Sequence, residues 1–153
     1  MLATPHLLTG AAIASSKLPA EISLPLAFLS HFLLDAIPHT EPSMFLKKYR
    51  RVPDQPCWRE FFYASFDFAC GILLLFYLFF RIHNVYLFWG GLAAIGVDLM
   101  DNIPFWFFLR QWPIFQQIHQ LHRFFHYQLD QKYWILGILS QLIVIIALLY
   151  FLL

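Results

Sequence analysis

The sequence predicts an all-α fold: a polytopic membrane helix bundle of about five segments, with an interfacial amphipathic helix before the last span. Three observations predict it. Of 153 residues, 60% are hydrophobic and only 12% charged, and mean hydropathy is +0.62, far from the composition of a soluble globular domain. Apolar runs recur along the whole chain, several of them reaching the roughly 20 helical residues that a hydrocarbon core requires. One stretch between them carries apolar residues along one edge and histidines along the next, at helical spacing.

The apolar runs fall near residues 4–16, 20–37, 60–81, 85–108 and 133–153. The first is short; because it lacks a basic n-region and carries Pro5 and His6 in its place, it reads as part of the bundle and not as a cleaved signal. The second reaches spanning length only between Pro19 and Pro38, and the first two together also fit a re-entrant pair. The last three are long enough to span. Lys47, Lys48, Arg50, Arg51 and Arg59 follow the second run, and Arg110, Arg123 and Lys132 follow the fourth; only Lys17 and Arg81 lie on the other side. By the positive-inside rule both long loops are cytoplasmic, the N-terminus is inside and the C-terminus outside. The whole of 1–153 reads as a single membrane-embedded domain. An echo between LLDAIP (Leu33 to Pro38) and LMDNIP (Leu99 to Pro104), with His6 and Gly10 laid on Asp67 and Gly71, fits a duplication of helical hairpins 1–39 and 60–105.

The stretch SHFLLDAIPH places His31, Asp35 and His39 at intervals of four, nearly on one helix face. A charge at the bilayer centre costs ~2.5–3.5 kcal/mol on insertion scales, so such residues need a partner, water or a cation. His6, Asp35, His39, Asp67, Asp98 and Asp101 all map to the same end of their segments. Small residues share their stripes, as in Ala27/His31/Asp35, Gly90/Ala94/Asp98 and Ala64/Asp67/Gly71, which turns the carboxylates toward neighbouring helices. In FQQIHQLHRFFHYQLD, Ile114, Ile118, Leu121, Phe125 and Leu129 form an apolar stripe flanked by His119, His122 and His126. A helix of this kind lies on the membrane surface with its histidine edge over the bundle mouth.

Neutral imidazole with carboxylate suits zinc first, and also iron or manganese. Cys57 and Cys70 have no partner at ligand spacing, so neither a thiolate site nor an obligatory disulfide is expected. The expected metal ligands are His6, His31, Asp35, His39, Asp101, His119, His122 and His126, with Asp98 and Asp67 as candidate catalytic bases. Blander readings stand beside these: His83 is a packing residue, and Asp101 ahead of Pro104 and Asp35 ahead of Pro38 can simply end helices. The KKYRR run reports topology and headgroup contact. A net charge of +1 argues against a nucleic-acid partner.

At TPHLLTG with His6, HFLLD with His31 and Asp35, and LHRFFH with His122 and His126, the chain resembles a family of small bacterial inner-membrane proteins described as membrane-bound metal-dependent hydrolases, distantly similar to zinc-dependent phospholipase C. LLDAIPH stands where that family carries Pro-Asp-x-Asp-His, and HRFFH where it carries His-Arg-Gly-x-Thr-His-Ser. The resemblance implies a metal-dependent hydrolase acting on a membrane lipid or lipid-linked phosphoester at the cytoplasmic interface. A non-enzymatic membrane scaffold or assembly protein, and a metal-ion or proton transporter subunit, remain open beside it. The basic-residue split carries its own test: a topology reporter fused after Leu153 should be extracytoplasmic and one inserted near Asp54 cytoplasmic, and a shared side for both overturns the five-span arrangement.

Overall fold

In the computed structural model the described residues are 1–46, 58–102 and 111–153, with the side chains of Asp101 and Asn102 excepted. The run Lys47 to Arg51, Asp54, Cys57, Pro104, Arg110 and residues 103–108 of the fourth expected segment lie outside them. Among the described residues the chain is all-helical: α1 (Ala3–Ala14), α2 (Ala20–Asp35), α3 (Ser43–Leu46), α4 (Trp58–Ile82), α5 (Tyr86–Asn102), α6 (Pro113–Phe125) and α7 (Trp134–Leu152), the last preceded by a 3₁₀ turn, Gln131–Tyr133.

The lengths decide the roles. α4, at 25 residues, and α7, with its leading turn 22 residues, are long and apolar enough to cross a membrane, and only 17% and 11% of their apolar windows is buried. A core helix of a soluble protein would be mostly covered, whereas here Phe66, Leu73, Phe80, Ile143, Ile146 and Phe151 all face outward. α5 is a shorter apolar helix over Tyr86–Met100. α1 has 12 residues and α2 has 16, which at 1.5 Å per residue gives about 18 and 24 Å, short of the roughly 30 Å of a hydrocarbon core.

α1 is instead the centre of the bundle. It packs on α2, α4, α5 and α7, and Thr4 to Leu8, Gly10 to Ala12 and Ala14 are buried. Small residues allow this. A Cβ on Gly10 would overlap the Gly90 carbonyl and come within 2.7 Å of the Ala94 Cβ, and a Cβ on Gly90 would overlap the Gly10 carbonyl and the Ala14 Cβ. Gly10/Ala14 on α1 thus meets Gly90/Ala94 on α5, two small-residue pairs four apart, backbone against backbone. The expected inward stripes hold for Ala27/His31/Asp35 and for Gly90/Ala94; on α4, Gly71 is buried and Asp67 half-buried, but Ala64 is exposed. His83 closes α4 with φ 55°, exposed at the α4–α5 turn.

α7 grips the segment after α2. A Cβ on Gly137 would collide with Thr40 and lie 2.8 Å from the His39 carbonyl carbon, so the absence of a side chain lets that segment cross. Ser140 Oγ donates to Pro38 O at 2.6 Å, Gln141 Nε2 donates to Thr40 O at 2.9 Å, and Gln141 Oε1 accepts from Leu2 N–H at 2.9 Å. Gly10→Leu should therefore lower the thermal midpoint in detergent sharply, in line with the ~1–3 kcal/mol or more of overpacked interiors. Gly96→Ala, whose Cβ would meet only Phe28 at 3.7 Å, should leave the midpoint nearly unchanged.

Candidate metal centre

The C-terminus of α2 delivers Asp35 to the point where α1, α5 and α6 converge. Asp35 is fully buried, and burial of an isolated carboxylate costs several kcal/mol, so it must be surrounded by positive or donor groups. It is. Oδ1 lies 3.2 Å from His6 Nε2 on α1, and Oδ2 lies 3.2 Å from His31 Nε2 on the preceding turn of α2, 2.8 Å from His122 Nε2 on α6 and 3.3 Å from His126 Nδ1 at the α6 cap. The Met1 amino group completes the shell at 2.6 Å from Oδ1 and 2.9 Å from Glu41 Oε1.

The backbone brings α6 into place. Tyr127 N–H donates to Asp35 O at 2.8 Å, and an isolated parallel bridge joins His39 to Gln128 through His39 N–H to Tyr127 O at 3.3 Å and Leu129 N–H to His39 O at 2.9 Å. This sets His39 beside His126, their ring centroids 4.8 Å apart and the rings nearly perpendicular. His6 and His31 stack at 4.1 Å, and His31 meets His122 at 5.0 Å.

Two rings are held in one tautomer. His31 Nδ1 lies 2.9 Å from the Ala94 carbonyl and His39 Nδ1 lies 2.9 Å from the Ile37 carbonyl; a carbonyl only accepts, so both Nδ1 atoms carry the proton. Each Nε2 is then the ring atom turned on a carboxylate, and it is fully buried. His31 Nε2 faces Asp35 Oδ2, and His39 Nε2 faces Glu41 Oε1 at 3.4 Å. An imidazole nitrogen turned on a carboxylate at this distance is matched either by a second ring proton or by a bound cation. An imidazole anchored by its second nitrogen on a carbonyl is how proteins orient histidine ligands. Around an ion bound at 2.0–2.2 Å, neighbouring tetrahedral donors stand roughly 3.3 Å apart, which the 3.2 and 3.3 Å separations of Asp35 Oδ2 from His31 and His126 match, while the 2.8 Å to His122 is that of a hydrogen bond.

Among the described residues three groups could hold a metal ion, each with donor atoms within 4.8 Å of one another: His6/His31/Asp98, His31/Asp35/His122 and Asp35/His39/His126. Asp98, half-buried on α5, lies 3.8 Å from His31 Nε2 and 3.9 Å from His122 Nε2. Of the expected ligands the structure thus gathers His6, His31, Asp35, His39, His122 and His126. His119, half-buried on α6, belongs to none of these groups among the described residues, and the Asp101 side chain lies outside them.

Asp67, expected as a base, has another task. Its carboxylate accepts from the Ala3 N–H, from Thr4 N–H at 3.3 Å and from the Thr4 hydroxyl at 2.8 Å. α1 has no side-chain cap of its own, so Asp67 caps it from α4, stabilising the free amides and the positive end of the helix dipole.

Glu41 was not foreseen. It follows Pro38 in a loop, outside any helical stripe, and the only sequence signal is its place two residues after His39. Burial opposes its charge, yet the Met1 ammonium and His39 outweigh this and hold its pKa below the ordinary carboxylate range. The Met1 amine responds in kind: burial works against its charge, but Glu41 and Asp35 prevail and raise its pKa to about 10. No family model, curated protein or solved structure matches the chain. Fold and site together define a class: among the described residues, an all-helical protein with two helices long and apolar enough to cross a membrane and a buried histidine–carboxylate cluster that could hold a metal ion.

The cap and the ligand are separable by mutation. Asp67→Asn should cost ~1 kcal/mol or somewhat more of stability, as lost caps do, and leave bound metal unchanged. Asp35→Asn should lose the metal. Elemental analysis of the purified variants, beside thermal melts, checks both.

Proposed function

We propose that the protein is a membrane-embedded, metal-dependent hydrolase of a lipid or lipid-linked phosphoester, working at the cytoplasmic face of the inner membrane with zinc as its ion. The carrying observation is the His31 ring, locked by Ala94 with its buried Nε2 turned on Asp35. Imidazole and carboxylate donors without thiolate favour zinc, with iron and manganese next. When bound, the ion would supply Lewis-acid charge for phosphoryl oxygens and ease ionisation of a water.

The chain's own residues do the rest. His31 and His122 would hold the ion with Asp35, while His6 packs on His31 and bonds Asp35 Oδ1. Asp98 keeps 20% of its side chain exposed and sits just beyond bonding distance from both histidines, placed to take a proton at Oδ1 as the general base. The half-exposed edge formed by Asp98, His126 and Glu41 is where a headgroup would enter. Glu41 Oε2 touches Ser43 Oγ at 3.3 Å, at the start of α3, and a groove of about 720 Å³ between α3 and α4 is lined by Phe45, Trp58, Phe61 and Phe62. An acyl or prenyl chain suits these apolar walls beside a polar centre. The five-segment topology, with N-terminus inside, belongs to the same reading: it puts the cluster end of α1, α2 and α5 at the cytoplasmic face, with α6 along the interface, where Trp112, Ile114, Leu121 and Phe124 are exposed to lipid.

A structural metal clamp in a non-enzymatic scaffold is the second reading, favoured by the complete burial of His6, His31, Asp35 and His39. A transporter is disfavoured, because among the described residues the buried ionisable side chains gather at one end of the bundle. Turnover decides. Protein purified in detergent should carry metal, and chelation should lower its thermal midpoint, since ligands from α1, α2 and α6 come apart. Asp98→Asn should keep the metal and lose ~10²-fold or more in hydrolysis of a lipid phosphoester. A metal-loaded wild-type protein that hydrolyses no lipid or lipid-linked phosphoester across a broad panel leaves the scaffold reading in its place.

A further inference from the structure

The metal centre contains more donors than one ion can use. Around Asp35 stand His6, His31, His122 and His126, with Asp98 beyond them and His39 and Glu41 behind His126. A zinc ion takes four ligands, sometimes five, so a single ion at His31/Asp35/His122 leaves the fully buried His39 Nε2 without a hydrogen-bond partner. We propose that the cluster binds two cations, the first at His31/Asp35/His122 and the second at Asp35/His39/His126, with Asp35 shared between them and Glu41 completing the second position. This rests on the metal-centre reading above and deepens it.

Both positions show the same construction. In each, one histidine comes from α2 or the segment that follows it, its Nδ1 anchored on a backbone carbonyl and its Nε2 buried and unbonded; another comes from the C-terminal part of α6 or its cap. His31 pairs in this way with His122, and His39 with His126. Asp35 is the only residue common to the two groups. Its Oδ2 lies 2.8 Å from His122 Nε2 and 3.3 Å from His126 Nδ1, so one carboxylate reaches both pairs. Glu41 Oε1 stands 3.4 Å from His39 Nε2 and 3.3 Å from the second nitrogen of His126. The His39 separation is near the roughly 3.3 Å edge of a tetrahedral site, and His126 would give the ion one of its two nitrogens, Nδ1 on the Asp35 side or Nε2 on the Glu41 side. Two ions bridged by a carboxylate are a recurrent arrangement for phosphoester chemistry, in which one can orient a substrate oxygen while the other serves the attacking group.

The test is stoichiometry on the full chain, tagged at the C-terminus so that Met1 is unaltered, purified in detergent and dialysed against zinc or manganese. Wild type should hold two ions per chain. Glu41→Gln and His39→Ala should each hold one, with a thermal midpoint still above that of chelated wild type. Asp35→Asn, which removes the shared carboxylate, should hold fewer than one. Manganese-loaded wild type should give the exchange-coupled electron paramagnetic resonance spectrum of a close pair, and Glu41→Gln the six-line spectrum of an isolated ion. A single ion in wild type, retained in both Glu41→Gln and His39→Ala, overturns the second position and leaves the first standing. Absence of any bound ion overturns both.

Discussion

One buried carboxylate organises this molecule. Asp35 sits at the end of α2 with no access to solvent, and a negative charge there is tolerable only if the surrounding groups replace the water it lost. The neighbours that do so come from separate parts of the chain: His6 from α1, His31 from α2 itself, His122 and His126 from α6 and its cap. Each could be placed only by a helix of the right length ending at the right depth. The short α1 and α2, buried against longer apolar helices, follow from that demand.

The same constraint explains the packing chemistry. For α1 to reach Asp35 at the middle of the bundle it must approach α5 more closely than ordinary side chains permit, and Gly10 against Gly90 permits it. For the His39 segment to reach α6 it must cross α7, and Gly137 opens the crossing while Ser140 and Gln141 satisfy the backbone groups exposed there. Without those two side chains the crossing segment would hold unpaired carbonyls in an apolar setting, which is costly. The polar interruptions of the greasy helices are therefore structural supports for the cluster as much as members of it.

Burial also shapes the chemistry the cluster can perform. The inner donors, His6, His31, Asp35 and His39, are sealed from solvent, whereas Asp98, Glu41 and His126 keep 20, 23 and 25% of their side chains exposed. An ion held by the inner set would be rigid and desolvated on one side and approachable on the other.

The sequence by itself determined the helical class, the apolar surface and most of the cluster, because each is written in local periodicity: His31 and Asp35 four apart on α2, His122 and His126 four apart beside an apolar stripe on α6. Spacing along a helix fixes which side chains share a face, and intramembrane cost explains why a charged one must have a partner. It did not reveal which partner. Asp67 has the same local signature as Asp35, a carboxylate beside small residues in an apolar helix, yet it caps α1 because the start of that helix happens to reach it. Glu41 lies in an irregular segment, where no periodicity exists to read, and joins the site only through the His39–Gln128 bridge and the grip of α7. The tautomers of His31 and His39, on which the affinity for a cation depends, were decided by two backbone carbonyls, one of them 63 residues away in sequence. Contacts of that range depend on how helices cross, and only the tertiary structure contains that information.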